Sequence, residues 1–337
     1  MTELKSILFE LSAADGAAYV NNAAKTAERM LGAFADVERN GNTVIGKMVG
    51  ESDYTIMLDA HIDEVSFVVT DVDDEGFITV QKAGGVDLRI LPAQIVTVQG
   101  KEDIPAVFCS TPPHLSSGDT EYNDISKIKL DTMLGEKSKD IVSLGDVVTW
   151  RNKPIELVSN RVTGKAFDDR AAVACLLFLA KRLSGKKLPM NVVFAFSDQE
   201  ELGMRGARTA SYTVTPDEAI ALDVSFATAP DVSATEGGEL SKGAMIGISP
   251  ILDKFLTEKL IAVAKENNIP FQSEVMGGNT GTNADVISVN KSGVKTGLIS
   301  IPLRNMHTPV EVIDLDDMVS VCDILEKYIL SGGGMDV

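Results

Sequence analysis

The chain has 337 residues, 44% hydrophobic and 24% charged, which excludes a disordered chain and supplies a sizeable core in one large domain or two. Its 31 Lys and Arg against 49 Asp and Glu give a net charge of -18, which repels phosphate backbones and excludes nucleic acid as a main partner. Three cysteines in so long a sequence exclude a disulfide-stapled miniprotein.

Residues 4–34 read as helices broken near 12–16, and 43–48 and 55–59 as short strands. From residue 66 to about 163 the pattern changes to short β-like runs at 67–70, 77–80, 95–98, 106–109, 147–150 and 155–158. Turn residues such as Asp73-Asp74-Glu75-Gly76 and Gly84-Gly85 separate them, and 112–124 reads as a mobile polar loop. This stretch, 66–163, is predicted as a small all-β module inserted into an α/β domain made of 1–65 and 164–337. Beyond it the rhythm becomes strand–helix alternation. Residues 169–183 form a helix rich enough in Ala, Leu and Val to be largely buried. Residues 191–197 are a continuous apolar run, as in a strand covered on both faces. A strand is expected over 219–224, and an amphipathic helix over 251–267 with Leu252, Phe255, Leu256, Leu260 and Val263 inward. A strand over 294–301 and a helix over 315–330 close the chain. Residues 1–20 carry no basic segment followed by a long apolar run, and no stretch reaches the ~20 apolar residues of a membrane span. The expected compartment is the cytoplasm, with Cys109, Cys175 and Cys322 as buried or inert thiols.

Polar clusters stand where the strands end, the position at which open α/β sheets build their sites. They are Asp59-Ala60-His61-Ile62-Asp63-Glu64, Phe167-Asp168-Asp169-Arg170, Asp198-Gln199-Glu200-Glu201, Ala221-Leu222-Asp223 and Arg304-Asn305-Met306-His307-Thr308-Pro309. His61 and Asp63, two apart in an extended segment, point the same way. The carboxylate can hold the imidazole tautomer while the other ring nitrogen binds metal; a surface polar pair is the plainer alternative. Asp168 and Asp169, taken alone, read as caps meeting a helix dipole. Glu200 and Glu201 repel one another unless cations or protons intervene, and Asp223 raises the same question. Two of only three histidines, His61 and His307, fall on these clusters, while His114 is expected at the surface. Histidine and carboxylate donors suit zinc, manganese or cobalt. The set fits a two-metal hydrolase, with a further glutamate to take a proton from water.

The segments AHIDEVSFVV, KAGGVD, GKAFDDRAAVA, FSDQEELGMRGA, AIALDVS and IPLRNMHTPVEVI carry a resemblance to a known family. The chain resembles, in order and over nearly its whole length, the cytoplasmic dinuclear-metal aminopeptidases called tetrahedral or TET aminopeptidases, peptidase family M42. That group includes glutamyl and deblocking aminopeptidases, and some members carry the label endoglucanase or cellulase M. The resemblance implies an α/β catalytic domain with an inserted PDZ-like β domain and two divalent ions per subunit, zinc or cobalt, or else manganese. It assigns one ion to His61 and Asp223 and the other to Glu201 and His307, with Asp168 shared. Glu200 is then the general base, Asp63 supports the first histidine, and Asp169 is structural. Short peptides with a free N-terminus are the implied substrates, and the implied assembly is a homo-oligomer, a tetrahedral dodecamer. Two departures stand out. Asn283 replaces the family's usual aspartate, with Asp285 two residues on, and RNMH replaces the more frequent RYxH; neither touches an implied ligand.

Two other readings stand beside this one. Paired Asp and Glu can cleave a glycosidic bond without metal, although sugar sites favour aromatic platforms and the chain has 5% aromatics and a single tryptophan, Trp150. The third is a catalytically silent metal-binding assembly protein.

Overall fold

A computed structural model of the chain describes residues 1–112, 114–115, 124–230, 232–233, 235 and 237–335. Most of the polar loop expected over 112–124 lies outside the described residues. The chain opens with α1 (Thr2–Ala13), α2 (Asn22–Leu31), β1 (Asp36–Asn40), β2 (Thr43–Met48) and β3 (Thr55–His61). There follow β4 (Ser66–Val72), β5 (Ile78–Ala83), β6 (Ile95–Gln99), β7 (Asp103–Phe108), β8 (Leu130–Asp131), α3 (Ser138–Ile141) and β9 (Val147–Trp150). Next come β10 (Ile155–Glu156), β11 (Arg161–Gly164), α4 (Phe167–Leu183), β12 (Asn191–Ser197), α5 (Arg205–Val214) and β13 (Glu218–Phe226). The remainder is β14 (Ala244–Ile248), α6 (Lys254–Glu266), β15 (Phe271–Val275), α7 (Ala284–Ile287), β16 (Lys295–Leu303), β17 (Glu311–Asp314) and α8 (Leu315–Leu330).

The fold is mixed α/β around an eight-stranded sheet of order β1-β2-β12-β3-β13-β16-β14-β15. Its centre, β12, β3, β13 and β16, is parallel, with Ser197 opposite His61 and Asp223 opposite Ser300. All four strands therefore end at the same edge, and the clusters that follow them are brought together there. Strand β12 is buried along its whole length, as a run covered on both faces requires. One face packs on α1, α2, α4, α6 and α8 through a core that includes Leu8, Leu58, Phe194, Leu176 and Met318. The other packs on α5 and α7 through Met57, Val193, Ala207, Ala221 and Ile287. Helix α4 is apolar almost all round because it lies between the sheet and α1 and α8.

The β module closes into a barrel, β4-β5-β8-β7-β6-β9. Its separate core holds Phe67, Phe108 and Trp150, with Phe67 edge-on to Trp150 at 5.3 Å between ring centroids. The run at Ile155 expected among the module's strands belongs elsewhere. Strand β10 pairs with β11, and β11 with β17, in a three-stranded sheet that joins the end of the module to the chain's last segment. Phe255 departs from its expected inward position: it is 64% exposed, while Leu256, Leu260 and Val263 are buried. Helix α6 starts at Lys254, capped by Asp253, whose carboxylate accepts from the Leu256 amide. That start turns Phe255 onto the solvent side. Cys175 and Cys322 are buried and all three cysteines are free. Among the described residues no helix is long and apolar enough to cross a membrane.

Candidate metal centre

Each cluster reaches the common edge by its own route. His61 ends β3 and Asp223 lies in the neighbouring strand β13. Glu200 and Glu201 leave β12 through Gln199, whose φ of 58° is left-handed. Asp168 lies at the start of α4, yet it and Asp169 have non-helical dihedrals, and no side chain caps that helix. The capping expected of this pair is therefore replaced by contacts to the site: Asp169 Oδ2 accepts from the His61 amide at 3.2 Å. Arg170, fully buried, turns away and donates to the Leu11 and Ala14 carbonyls at 2.8 and 2.9 Å. His307 follows β16 on a loop, with φ of 60°.

Asp168 stands between the two rings. Its Oδ1 lies 2.9 Å from His61 Nε2, and its Oδ2 lies 3.2 Å from His307 Nε2. His307 Nε2 is also 3.1 Å from Glu201 Oε1, and His61 Nε2 is 4.0 Å from Asp223 Oδ1. The outer ring nitrogens are held in turn. His307 Nδ1 lies 2.6 Å from the Gly85 carbonyl oxygen, and because a carbonyl only accepts, that nitrogen carries a proton. His61 Nδ1 is 3.3 Å from Asp63 Oδ1, and the Asp63 carboxylate also accepts from the Glu200 and Glu201 amides at 3.0 and 3.3 Å. One side chain thus steadies both the first histidine and the glutamate pair.

The electrostatics are those of a site short of positive charge. Burial raises Asp223 and Asp169 well above the usual carboxylate range, and neighbouring carboxylates add to this. Glu200 is pushed up to about 7, chiefly by burial, with Glu201, Asp168 and Asp63 reinforcing it. Burial opposes charge on His307, but Asp168 and Glu201 outweigh it and raise the ring to about 11. His61 is likewise raised well above its ordinary value against its burial, by Asp168 and Asp63. Both rings lie between carboxylates, an environment that favours positive charge at their nitrogens. Donor chemistry agrees: His61, Asp169 and Asp223; His61, Glu200 and Glu201; and Asp168, Glu201 and His307 each offer ligand atoms within 4.8 Å of one another. The centre opens into a cavity of about 350 Å³ whose walls add Val224, Phe226, Leu298 and Met306.

All seven site residues expected from the sequence, His61, Asp63, Asp168, Glu200, Glu201, Asp223 and His307, meet here; His114 is exposed and elsewhere. Two contributors escaped the sequence reading. Glu311, 2% exposed, accepts from the His307 amide at 2.8 Å and the Asp168 amide at 3.1 Å. Gly85 acts through its backbone, so Gly84-Gly85 signals only a turn.

The chain matches the model of the M42 glutamyl aminopeptidases over residues 41–324. It is 31% identical to a lysyl aminopeptidase of Pyrococcus furiosus over 291 residues, 84% of this chain and 82% of the relative. Among solved structures it is similar to an aminopeptidase of the archaeon Desulfurococcus kamchatkensis, with a TM-score of 0.92 and 29% identity over 98% of this chain and 95% of that one. It is also similar to the Pyrococcus horikoshii TET1 peptidase, which can assemble into a tetrahedron or a large octahedral shell (TM-score 0.86, 27% identity, 97% and 99% covered).

Proposed function

The chain belongs to the M42 glutamyl aminopeptidase family, and on that premise we propose that its strand-end cavity is a two-cation aminopeptidase centre. The observation that carries this reading is Asp168, with one oxygen toward each histidine. His61 and Asp223 would hold one divalent ion and Glu201 and His307 the other, with Asp168 shared. Zinc or cobalt suits these donors best, and manganese fits as well. Such a pair of cations supplies polarisation of the scissile carbonyl and acidification of water.

The remaining work falls to side chains. Glu200 takes a proton from the attacking water and returns it to the departing nitrogen. Its place beside the proposed ligands Glu201 and Asp168, with its amide held by Asp63, suits a group that must both accept and give. Asp63 holds His61 and the backbone of Glu200 in register, and Asp169 braces the His61 amide. An aminopeptidase acts at a free N-terminus, so short peptides with a free amine are the proposed substrates. The lysyl name of one relative and the glutamyl description of the family differ in the residue removed. Trp150 packs inside the barrel and offers no sugar platform.

We place residues 66–163 as the inserted domain and 1–65 with 164–337 as the catalytic one. We further propose a cytoplasmic homo-oligomer, a tetrahedral shell of twelve copies like the dodecamer among its structural relatives. Hydrolysis of an aminoacyl-p-nitroanilide panel by apo-protein, with and without zinc, cobalt or manganese, tests the activity. Metal-restored release from free but not N-acetylated substrates is expected. Release that ignores the metal, or prefers the acetylated substrate, would overturn the reading.

A further inference from the structure

Resting on the two-cation reading, we propose that the inserted barrel is a working part of the metal centre. The Gly85 carbonyl is the positioning group that sets the tautomer and aim of His307. The hydrogen bond to His307 Nδ1, at 2.6 Å, crosses from the barrel to the catalytic sheet. It places the ring proton on Nδ1 and leaves Nε2 as the nitrogen that faces Asp168 and Glu201. A ring with the opposite tautomer would present a donor to those carboxylates and could not ligate through Nε2.

Two glycines make this approach feasible, for different reasons. Gly84 has φ of +98°, and a Cβ there would stand 2.9 Å from Val65 Cγ1 and 3.4 Å from Glu201 Oε2. Gly85 lies outside the left-handed region and is needed for space. A Cβ there would stand 3.0 Å from His307 Nδ1 and 3.2 Å from Cε1. The first glycine turns the chain and the second lets its backbone touch the ring.

The presenting loop is fixed to the barrel. Lys82 Nζ donates to the Val86 carbonyl at 3.0 Å, Val86 is buried in the barrel core, and Asp87 caps the turn that follows by accepting from the Arg89 amide at 2.9 Å. His307, by contrast, sits on a loop with left-handed backbone and is 28% exposed. The Glu311 carboxylate accepts from its amide and fixes the backbone, while Asp168 and Glu201 meet the ring only at Nε2. The barrel therefore supplies the partner at Nδ1, the second point that fixes the ring's tautomer and aim.

The test is cation binding by the full-length protein, measured as bound zinc per chain by mass spectrometry and as affinity by chelator competition. Wild type is expected to hold two ions. Gly85→Ala is expected to weaken one of them about 10- to 100-fold, as loss of an outer hydrogen bond to a ligating histidine does, and to leave the other in place. Metal-free Gly85→Ala should unfold at the same temperature as metal-free wild type, which separates positioning from damage to the fold. A double variant with His307→Ala completes the test. If Gly85 acts through His307, adding Gly85→Ala to His307→Ala costs nothing further in the affinity of the remaining ion. Gly85→Ala holding both ions with wild-type affinity, or losses that add in the double variant, would overturn the proposal and leave the two-cation reading standing. Wild type holding fewer than two ions would overturn both.

Discussion

The two halves of the centre are built by different means. His61 and Asp223 project from β3 and β13, adjacent strands at the middle of the sheet, and their side chains are 1% and 9% exposed. Glu201 and His307 project from loops, and His307 is aimed by groups from separate segments, the Gly85 carbonyl of the barrel and the Glu311 carboxylate of β17. Strand geometry fixes the first half almost for free, because parallel register decides where His61 and Asp223 fall. The second half must be assembled from pieces far apart in sequence, and it keeps a left-handed histidine that costs on the order of 1 kcal/mol or more. The lesson is that one proposed cation position would be a property of the sheet, whereas the other would be a property of how the sheet, barrel and closing strand dock.

The largest effect is expected at the residue that serves both halves and is assigned as ligand to neither. Glu200→Gln should lower turnover about 10²- to 10⁴-fold, the usual contribution of a general base, while both cations stay bound. Rates on an aminoacyl-p-nitroanilide alongside zinc content check this. Retained turnover would remove Glu200 from its role, and lost zinc would make it a ligand.

Removing each histidine sharpens the contrast. His307→Ala should leave a folded chain with one cation, since its ring is partly solvated and its site is the assembled half. His61→Ala should lose the sheet-built cation and also destabilise folding by about 3–5 kcal/mol, because Asp63 and Asp168 lose a buried partner. Zinc content and urea unfolding of the two variants decide the matter. Equal losses of stability would break the comparison.

Proton linkage gives a third, smaller effect. In the metal-free protein both rings are protonated at neutral pH, His307 with a value of about 11. Each Nε2 must give up its proton before it can bind a cation, so loading releases protons and affinity rises with pH. The slope is about tenfold per pH unit for each proton released. Zinc competition from about pH 6 to 8 measures it. An affinity that stays flat over that range would show that the rings are not protonated before loading.

These contrasts also explain what the sequence makes legible. Strand β12 and helix α8 were expected at their observed bounds, because a continuous apolar run and a 3.6-residue pattern are local signals. Strand β1, Asp-Val-Glu-Arg-Asn on the sheet edge, has no apolar alternation to read. Helix α5 carries Thr, Ser, Tyr and Val, which favour helix weakly, and escaped for that reason. At the site, residue types and strand ends pointed to the polar clusters that meet there, and the family resemblance supplied the proposed ligand set. Gly85 and Glu311 were missed because one acts through a carbonyl that every residue has. The other is an acid in a four-residue strand, Glu-Val-Ile-Asp, whose role depends on where β17 docks. The sheet-built half is thus the half that sequence reveals most fully.

The smallest effect is expected beneath His61, at Asn283. Asp59 lies two residues before His61 on β3 and so faces the same way. Asn283 Nδ2 donates to Asp59 Oδ1 at 2.6 Å, and Ser197 Oγ donates to the other oxygen. Burial lifts Asp59 to about 6, with those two donors and His61 holding it back. Asn283→Asp replaces one donor with a second buried carboxylate, and the pair must then keep a proton. The folded chain consequently binds more protons than the unfolded one, whose aspartates release theirs near 3.8, so stability falls as pH rises. The slope is about 1.4 kcal/mol per pH unit between the unfolded and the folded value. The part of the decline that Asp59 contributes ends at about 6 in wild type, so the difference between wild type and Asn283→Asp should go on widening beyond it. Urea midpoints between about pH 5 and 8 compare the two chains. A gap that widens with pH fits a proton trapped under the sheet-built half, and a constant gap would show that the introduced carboxylate is accommodated without one.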